Sequence, residues 1–152
     1  MPIFDLAQRL LLAAGLAAAI GLEREYRQKP AGLRTNMLIG LGSALFTIIS
    51  MTMTGGGGSD RIAAQVVTGV GFLGGGAILR SGINVQGMTT AATIWVNAAI
   101  GMAAGAGEFA LATATTVLTL VVLAVLVPAE EYFDRRMRVN SENHPPPESR
   151  SG

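Results

Sequence analysis

From residue 35 to residue 59 the chain reads TNMLIGLGSALFTIISMTMTGGGGS, which is 25 residues without a charged side chain. Three further uncharged runs follow, at residues 62–79, 81–107 and 109–129. A helix of about 20 residues crosses a hydrocarbon core of about 30 Å. Each run can therefore hold a membrane-spanning helix, and four such runs in succession argue against a soluble protein built on buried core helices.

The overall composition agrees with a membrane protein. The 152 residues are 50% hydrophobic and only 14% charged, with 20 glycines and a net charge of +1. Basic residues are few and do not alternate with aromatic residues, so no nucleic-acid partner is expected. Cysteine is absent and the single histidine, His144, lies in a polar C-terminal segment. With no serine beside a base and no acids at ligand spacing, the sequence predicts no enzyme and no cofactor, although a hard-cation site of oxygen ligands stays open.

Five spanning helices are predicted, at residues 3–22, 36–53, 62–79, 88–105 and 109–127. Together with their connections they form a predicted transmembrane domain over residues 1–138, followed by a disordered polar tail over residues 139–152. The predicted fold class is therefore an all-α membrane protein, a bundle of about five transmembrane helices.

The first of these helices is the weakest, because its uncharged core of residues 10–22 is short. It has to include Asp5 and Arg9, which stand four residues apart and are expected to pair near one interface. A cleaved signal peptide with small residues Ala17 and Ala19 near the cleavage site is the alternative. The absence of a basic start and the presence of Asp5 disfavour it.

The positions of lysine and arginine predict the orientation, since short basic segments stay in the cytoplasm. With five spans and an external N-terminus, only Arg9 and Arg61 fall outside. The cytoplasmic segments then hold nine basic residues: Arg24, Arg27, Lys29, Arg34, Arg80, Arg135, Arg136, Arg138 and Arg150. A four-span arrangement would place the basic C-terminal segment outside. We therefore expect a multi-pass protein with its N-terminus outside and its C-terminus in the cytoplasm.

Residues 69–74 read GVGFLG and match the dinucleotide-binding pattern G-x-G-x-x-G. That fingerprint requires a preceding strand and an acidic residue about 20 positions later. The pattern lies instead inside an uninterrupted apolar run, and the next acidic residue is Glu108. Helix packing is the favoured interpretation of these glycines.

Small residues promote helix association in lipid, because they allow close contact between backbones. Pairs spaced by four residues occur in three of the predicted helices. The predicted packing glycines are Gly71, Gly74, Gly75, Gly101 and Gly105, and Gly15 with Ala19 gives the first helix a similar face. We expect the first, third and fourth helices to pack tightly or to contact another protomer.

Polar side chains at membrane depth are costly and usually face a partner or a cavity. The candidates from position alone are Glu23, Arg24, Glu25, Arg34, Asp60, Gln65 and Asn97. Glu23 and Arg34 flank one interface and can form a partly desolvated pair, although an ordinary charge cluster at headgroup level fits equally well. Asp60 can cap the third helix. Gln65 and Asn97 can bond between helices, which is the more common use, or line a polar path.

Several short blocks resemble the MgtC/SapB membrane proteins. The blocks are GLERE at 21–25, AGLRT at 31–35, RIAAQVV at 61–67, GFLG at 71–74 and TTAATIW at 89–95. They occur in the family's order and spacing, over about residues 15–107. The resemblance implies a bacterial inner-membrane protein with about five helices and a link to magnesium limitation, intracellular survival and F-type ATP synthase inhibition. Its characteristic polar positions correspond to Glu25, Arg34, Thr35, Asp60, Gln65 and Thr90.

The longer members of that family carry a soluble ACT-like domain, to which the resemblance does not extend. The leading hypothesis is a non-enzymatic inner-membrane protein in magnesium homeostasis or stress adaptation. It would act by contacting lipids, further copies of itself or another membrane protein. The alternative is an oligomeric transporter or channel for a cation such as magnesium, or for another small solute, with Asp60, Gln65, Asn97 and the charges of residues 23–34 along its path.

Overall fold

The computed structural model describes residues 2–53, 60–81 and 84–143, and the side chains at positions 60, 81, 84 and 127–143 lie outside this description. Five helices and one short hairpin make up the described chain. They are α1 (Ile3–Tyr26), α2 (Leu33–Met53), α3 (Asp60–Gly76), β1 (Leu79–Ser81), β2 (Asn84–Gln86), α4 (Met88–Ala106) and α5 (Phe109–Asn143). The predicted helical bundle is confirmed.

Three of the described helices are long and apolar enough to cross a membrane by length and composition. They are Ile3–Tyr26, Leu33–Met53 and Phe109–Leu126. The protein is therefore a helical membrane protein. α3 has 17 residues and α4 has 19, and their crossing of the membrane stays a prediction.

Two helices differ in length from the prediction for local reasons. α1 continues past residue 22 to Tyr26, because Glu and Arg are good helix formers. It ends where Gln28 takes a left-handed φ of 54° and the Lys29 N–H bonds the Arg24 carbonyl at 2.9 Å, a Schellman-type stop. α2 begins at Leu33 rather than 36, because Glu25 Oε2 accepts the Leu33 N–H at 2.9 Å and so satisfies one of its first donors.

The segment predicted as a loop from residue 80 to residue 87 forms an antiparallel hairpin instead. Leu79 pairs with Gln86 and Arg80 pairs with Val85. The prediction of helix up to residue 79 is therefore wrong, since α3 ends at Gly76. Gly87 joins the hairpin to α4 with φ of 89°, a conformation that favours glycine.

Small residues bring α1, α2 and α4 together. A Cβ added to Gly21 of α1 would stand 2.7 Å from Leu33 Cα of α2. A Cβ added to Gly40 of α2 would stand 2.7 Å from Ala17 Cβ of α1. A Cβ on Gly105 would stand 2.5 Å from the Ala44 carbonyl oxygen. Gly101 makes a similarly close approach to α2 at the Gly40 carbonyl. The predicted packing role of Gly101 and Gly105 matches these contacts.

The glycines of α3 divide between a packed and an open face. Gly74 is buried and packs on Ala91 of α4. Gly71 and Gly75 are exposed, and a Cβ on either would meet no heavy atom within 4 Å. Gly15 of α1 is open in the same way. These three glycines therefore have no packing partner among the described residues, and their expected contact with another protomer stays a prediction.

The chain divides into two compact units, Met1–Leu120 and Val121–Gly152. The first contains α1 to α4, the hairpin and the start of α5, where Ala112 and Thr116 are buried. The described part of the second is helical as far as Asn143, because Ala, Glu, Arg and Met in residues 129–138 favour helix. Helix thus extends five residues into the predicted tail, and residues 144–152 lie outside the described chain. The predicted division at residue 138 stays a prediction.

Candidate functional site

A buried guanidinium lies where α1 meets α4. Arg24 is only 2% exposed, and its Nη2 donates a hydrogen bond to Thr90 Oγ1 at 3.0 Å. Arg24 Nε is buried and has no acceptor among the described residues. Burying a guanidinium with so few partners costs several kcal/mol. This residue is therefore unlike the solvated arginines at the ends of the helices.

Two asparagines connect α2 to another part of α4. Asn36 and Asn97 are both 0% exposed. Asn97 Nδ2 donates to the Asn36 carbonyl oxygen at 3.0 Å and to Asn36 Oδ1 at 2.9 Å. Asn36 Nδ2 in turn donates to the carbonyls of Ala31 and Gly32. The asparagines thus join α4 to α2 and hold the α1–α2 loop against the start of α2.

We refer to these two hydrogen-bonded pairs together as the Arg24 cluster: Arg24 with Thr90, and Asn36 with Asn97. Thr90 and Asn97 stand seven residues apart, so they lie on one face of α4, separated by about 10 Å along its axis. That face also carries Gly101 and Gly105, where α4 approaches α2. Close backbone packing and polar bonding therefore lie on the same side of the helix.

Glu23 and Glu25 have local roles. Glu23 Oε1 lies 2.6 Å from Arg27 Nε, one turn further along α1. The contact is an ion pair rather than an aligned hydrogen bond, since both Glu23 oxygens are buried without a hydrogen-bond partner among the described residues. The predicted pair of Glu23 with Arg34 is not formed, because Arg27 is already within reach at i,i+4 spacing. Glu25 caps α2, as described above.

Arg9 makes an ion pair within α1 and a long-range hydrogen bond to the end of α4. Arg9 Nη2 lies 3.2 Å from Asp5 Oδ2, which confirms the predicted pair. Arg9 Nη1 also donates to the Gly105 carbonyl at 2.8 Å. Because this carbonyl is near the C-terminus of α4, the guanidinium satisfies an acceptor that the helix itself leaves open.

The remaining predicted polar residues do not join the Arg24 cluster. Arg34 is exposed at the first turn of α2, while Thr35 and Gln65 line a cavity between α2 and α3. Asp60 begins α3, but its side chain lies outside the described residues, so its predicted capping role is untested. Gln65 and Asn97 therefore do not meet in one polar cavity.

The electrostatics of the Arg24 cluster are unfavourable for a cation. A buried positive charge repels a divalent ion strongly in a medium of low dielectric constant. Within the part of the chain that the structure describes, no group of three or more His, Cys, Asp or Glu residues can hold one metal ion. The buried atoms Arg24 Nε, Glu23 Oε2 and Asn97 Oδ1 have no hydrogen-bond partner among the described residues. Waters with two to four polar neighbours are the usual way to satisfy such atoms.

Comparison with known proteins assigns the chain to a family. The MgtC family model matches residues 10–132. The chain belongs to the MgtC family. Protein MgtC of Salmonella typhimurium is 50% identical over 120 residues, which cover 79% of this chain and 52% of that protein. A protein of Escherichia coli strain K12, named "Putative magnesium transporter YhiD", is 54% identical over 125 residues, covering 77% of this chain and 58% of its own length.

A third relative, the uncharacterized protein slr0014 of Synechocystis, is 41% identical over 134 residues, covering 88% of this chain and 57% of its own. The chain thus spans about half the length of these MgtC-family relatives. No solved structure matches the chain.

Sequence reasoning found part of the Arg24 cluster in this family member. Thr90 was implied by the resemblance, and Arg24 and Asn97 were candidates by position. Asn36 was missed, because it stands at the edge of a long apolar run, where a lone amide looks like an interfacial residue. The seven-residue spacing of Thr90 and Asn97 places two polar side chains on one face of α4, and this was the signal that the face needs polar partners on neighbouring helices.

Proposed function

We propose that this MgtC-family protein is a non-enzymatic component of the bacterial inner membrane that acts in magnesium homeostasis or stress adaptation. It does so by contacting other membrane components rather than by moving ions itself. The family assignment and the name of the Escherichia coli relative support the link to magnesium. The basic bias of the predicted cytoplasmic segments supports an external N-terminus.

The Arg24 cluster is the observation that carries this proposal. Its polar groups bond helix to helix, with Arg24 to Thr90 and Asn97 to Asn36. A cation that entered this interface would meet a buried guanidinium, and the electrostatic cost would be large. The cavity between α2 and α3 is lined mainly by aliphatic and aromatic side chains. Neither place suits a hydrated divalent ion, which gives up its water reluctantly.

The outward face of α3 supports contact with a partner. Ala64, Thr68, Gly71 and Gly75 follow one another at spacings of three or four and are all exposed. Such a face allows another helix to approach closely in lipid. A leucine at position 75 would block that approach. Its Cβ would meet no heavy atom of the neighbouring described elements within 4 Å.

An oligomeric transporter is the second candidate. The printed name of the Escherichia coli relative favours it. So do buried oxygens of Glu23 and Asn97 that accept no hydrogen bond from the described residues. Oxygen acceptors suit a hard cation. Their neighbour Arg24 counts against such a path within one protomer.

Growth at low magnesium tests the proposal, in a bacterium that lacks its own family member. The wild-type protein should restore growth, and Gly75→Leu should restore it less, at equal protein level and equal thermal stability in detergent. The matched control is Val117→Leu, which enlarges an exposed side chain of α5. Full growth with Gly75→Leu, together with a strictly monomeric purified protein free of copurifying protein, would contradict the proposed partner contact.

A further inference from the structure

A large apolar groove runs between α2 and α3. Its volume is about 900 Å³, which is within the range of pockets that hold small molecules. Most of its wall is hydrophobic. Leu38, Phe46 and Leu73 line it and are more than half exposed, so the groove is open along its side. The MgtC-family function proposed above leaves this groove without a role.

The groove is elongated along the direction in which α2 crosses the membrane. Its α2 wall extends from Thr35 to Ile49, which corresponds to about 21 Å at 1.5 Å per residue. That length exceeds half of a hydrocarbon core of about 30 Å. A lipid acyl chain is the apolar ligand that has this length and lies in this direction.

Two glycines make room in the groove. Gly42 lines it from α2 and Gly69 lines it from α3. A Cβ added at either position would meet no heavy atom within 4 Å. The space therefore depends on the absence of side chains at these two positions, and larger residues can be placed there without a backbone clash at the Cβ.

A positive charge stands at the end of the groove nearest the α1–α2 loop. Arg34 is exposed and lies one turn before Leu38, so both residues are on the same face of α2. The described ion pairs, Asp5 with Arg9 and Glu23 with Arg27, do not involve Arg34. A guanidinium at this position can bind a phosphate with two parallel hydrogen bonds.

We propose that the groove binds one acyl chain of an anionic phospholipid, whose phosphate is held by Arg34. The apolar wall and the basic residue Arg34 at one end match a lipid with a hydrocarbon tail and a charged headgroup. A second copy of the chain fits less well, because two-fold pairing of this face about an axis normal to the membrane would bring two Arg34 side chains to the same level. This proposal is independent of the proposed magnesium function.

Native mass spectrometry of the protein in mild detergent tests the groove. The protein is titrated with dioleoyl-phosphatidylglycerol or with dioleoyl-phosphatidylcholine, and the bound lipid per protomer is counted. We expect about five-fold stronger binding of the anionic lipid, equivalent to ~1 kcal/mol for one arginine near the headgroups. Arg34→Gln should bring this ratio to about one and leave binding of the zwitterionic lipid unchanged.

Filling the groove should reduce binding of both lipids. Gly69→Leu is the main variant, and Gly42→Leu from the opposite wall replaces it if the first fails to fold. The matched control is Gly75→Leu on the outward face of α3, which should bind lipid like the wild type. Equal binding of the two lipids by the wild type would overturn the proposal, as would full binding by the filled variants or equal loss in the control. Lipid-free dimers that Gly69→Leu disrupts and Gly75→Leu does not would assign the groove to a second copy and overturn it too.

Discussion

Arg24 Nη2 donates a hydrogen bond to Thr90 Oγ1 at 3.0 Å, which ties the last turns of α1 to the first turn of α4. The guanidinium is 2% exposed and its Nε has no acceptor among the described residues. An arginine that loses an acceptor in an apolar interior keeps the full cost of its desolvation. The stability of the bundle should therefore depend on the Thr90 hydroxyl.

Thr90→Val tests this dependence, because valine keeps the shape of threonine without its hydroxyl. We expect a loss of about 1–3 kcal/mol in the free energy of unfolding, the usual cost of a buried donor left unpaired. Thr90→Ser keeps the hydroxyl and should lose clearly less. Both values can be measured by denaturant unfolding in mild detergent. Equal stability of the two variants would show that the hydroxyl contributes nothing.

The two asparagines of the Arg24 cluster should be energetically coupled. Asn97 Nδ2 donates to the Asn36 main-chain carbonyl and to Asn36 Oδ1. Either truncation removes the bond between the two side chains, whereas Asn36→Ala keeps the main-chain acceptor. A double-mutant cycle with Asn36→Ala and Asn97→Ala should give a coupling of about 0.6–2 kcal/mol. Asn36→Ala should cost more by itself, because it also removes the hydrogen bonds from Asn36 Nδ2 to the Ala31 and Gly32 carbonyls. Additive single effects would contradict the paired arrangement.

Substitution by alanine should lower the stability of the protein at a packed glycine and raise it at an open glycine. Gly105→Ala places a Cβ 2.5 Å from the Ala44 carbonyl oxygen, and such overpacking costs about 1–3 kcal/mol. Gly15→Ala meets nothing within 4 Å and should gain about 0.5–1 kcal/mol from the lower flexibility of alanine in a helix. Thermal unfolding of both variants in the same detergent measures the contrast. A stable Gly105→Ala protein would argue against the close approach of α4 to α2.

Glu25 should act as a helix cap and not as a cation ligand. Its Oε2 accepts the Leu33 N–H at the start of α2. Glu25→Ala should therefore lower the free energy of unfolding by about 0.5–2 kcal/mol, the usual cost of a lost cap. Glu25→Gln keeps an acceptor oxygen and should retain most of this stability. Stability that rises with magnesium in the wild type and not in Glu25→Gln would indicate a cation site instead.

The positions of the helices could be predicted because the charges mark their ends. The uncharged runs located all five helices. The ends of the first four were wrong by at most four residues, whereas α5 continues past the predicted span at residue 127 to Asn143. Those errors arose where long-range contacts decide the boundary, as with the Glu25 side chain and Leu33. The hairpin was missed because three-residue strands carry almost no periodic signal.

The partners of each side chain could not be predicted from spacing. Gly71 with Gly75 and Gly101 with Gly105 have the same four-residue spacing, yet only the second pair faces another helix. Which face of α3 turns inward depends on its packing against α4, through Val66 and Val70 on Ile94 and Ala98. In the same way, Glu23 was within reach of two arginines, and only the folded chain selects Arg27.

Magnesium uptake by sealed liposomes tests the central claim most directly, that the Arg24 cluster bonds helices and is not a path for cations. The liposomes contain the purified protein and an internal magnesium indicator, with an ionophore as the positive control. Uptake should equal that of protein-free liposomes, and Asn97→Leu should leave it unchanged. Uptake that requires the protein and falls with Asn97→Leu or Glu23→Gln would contradict the account.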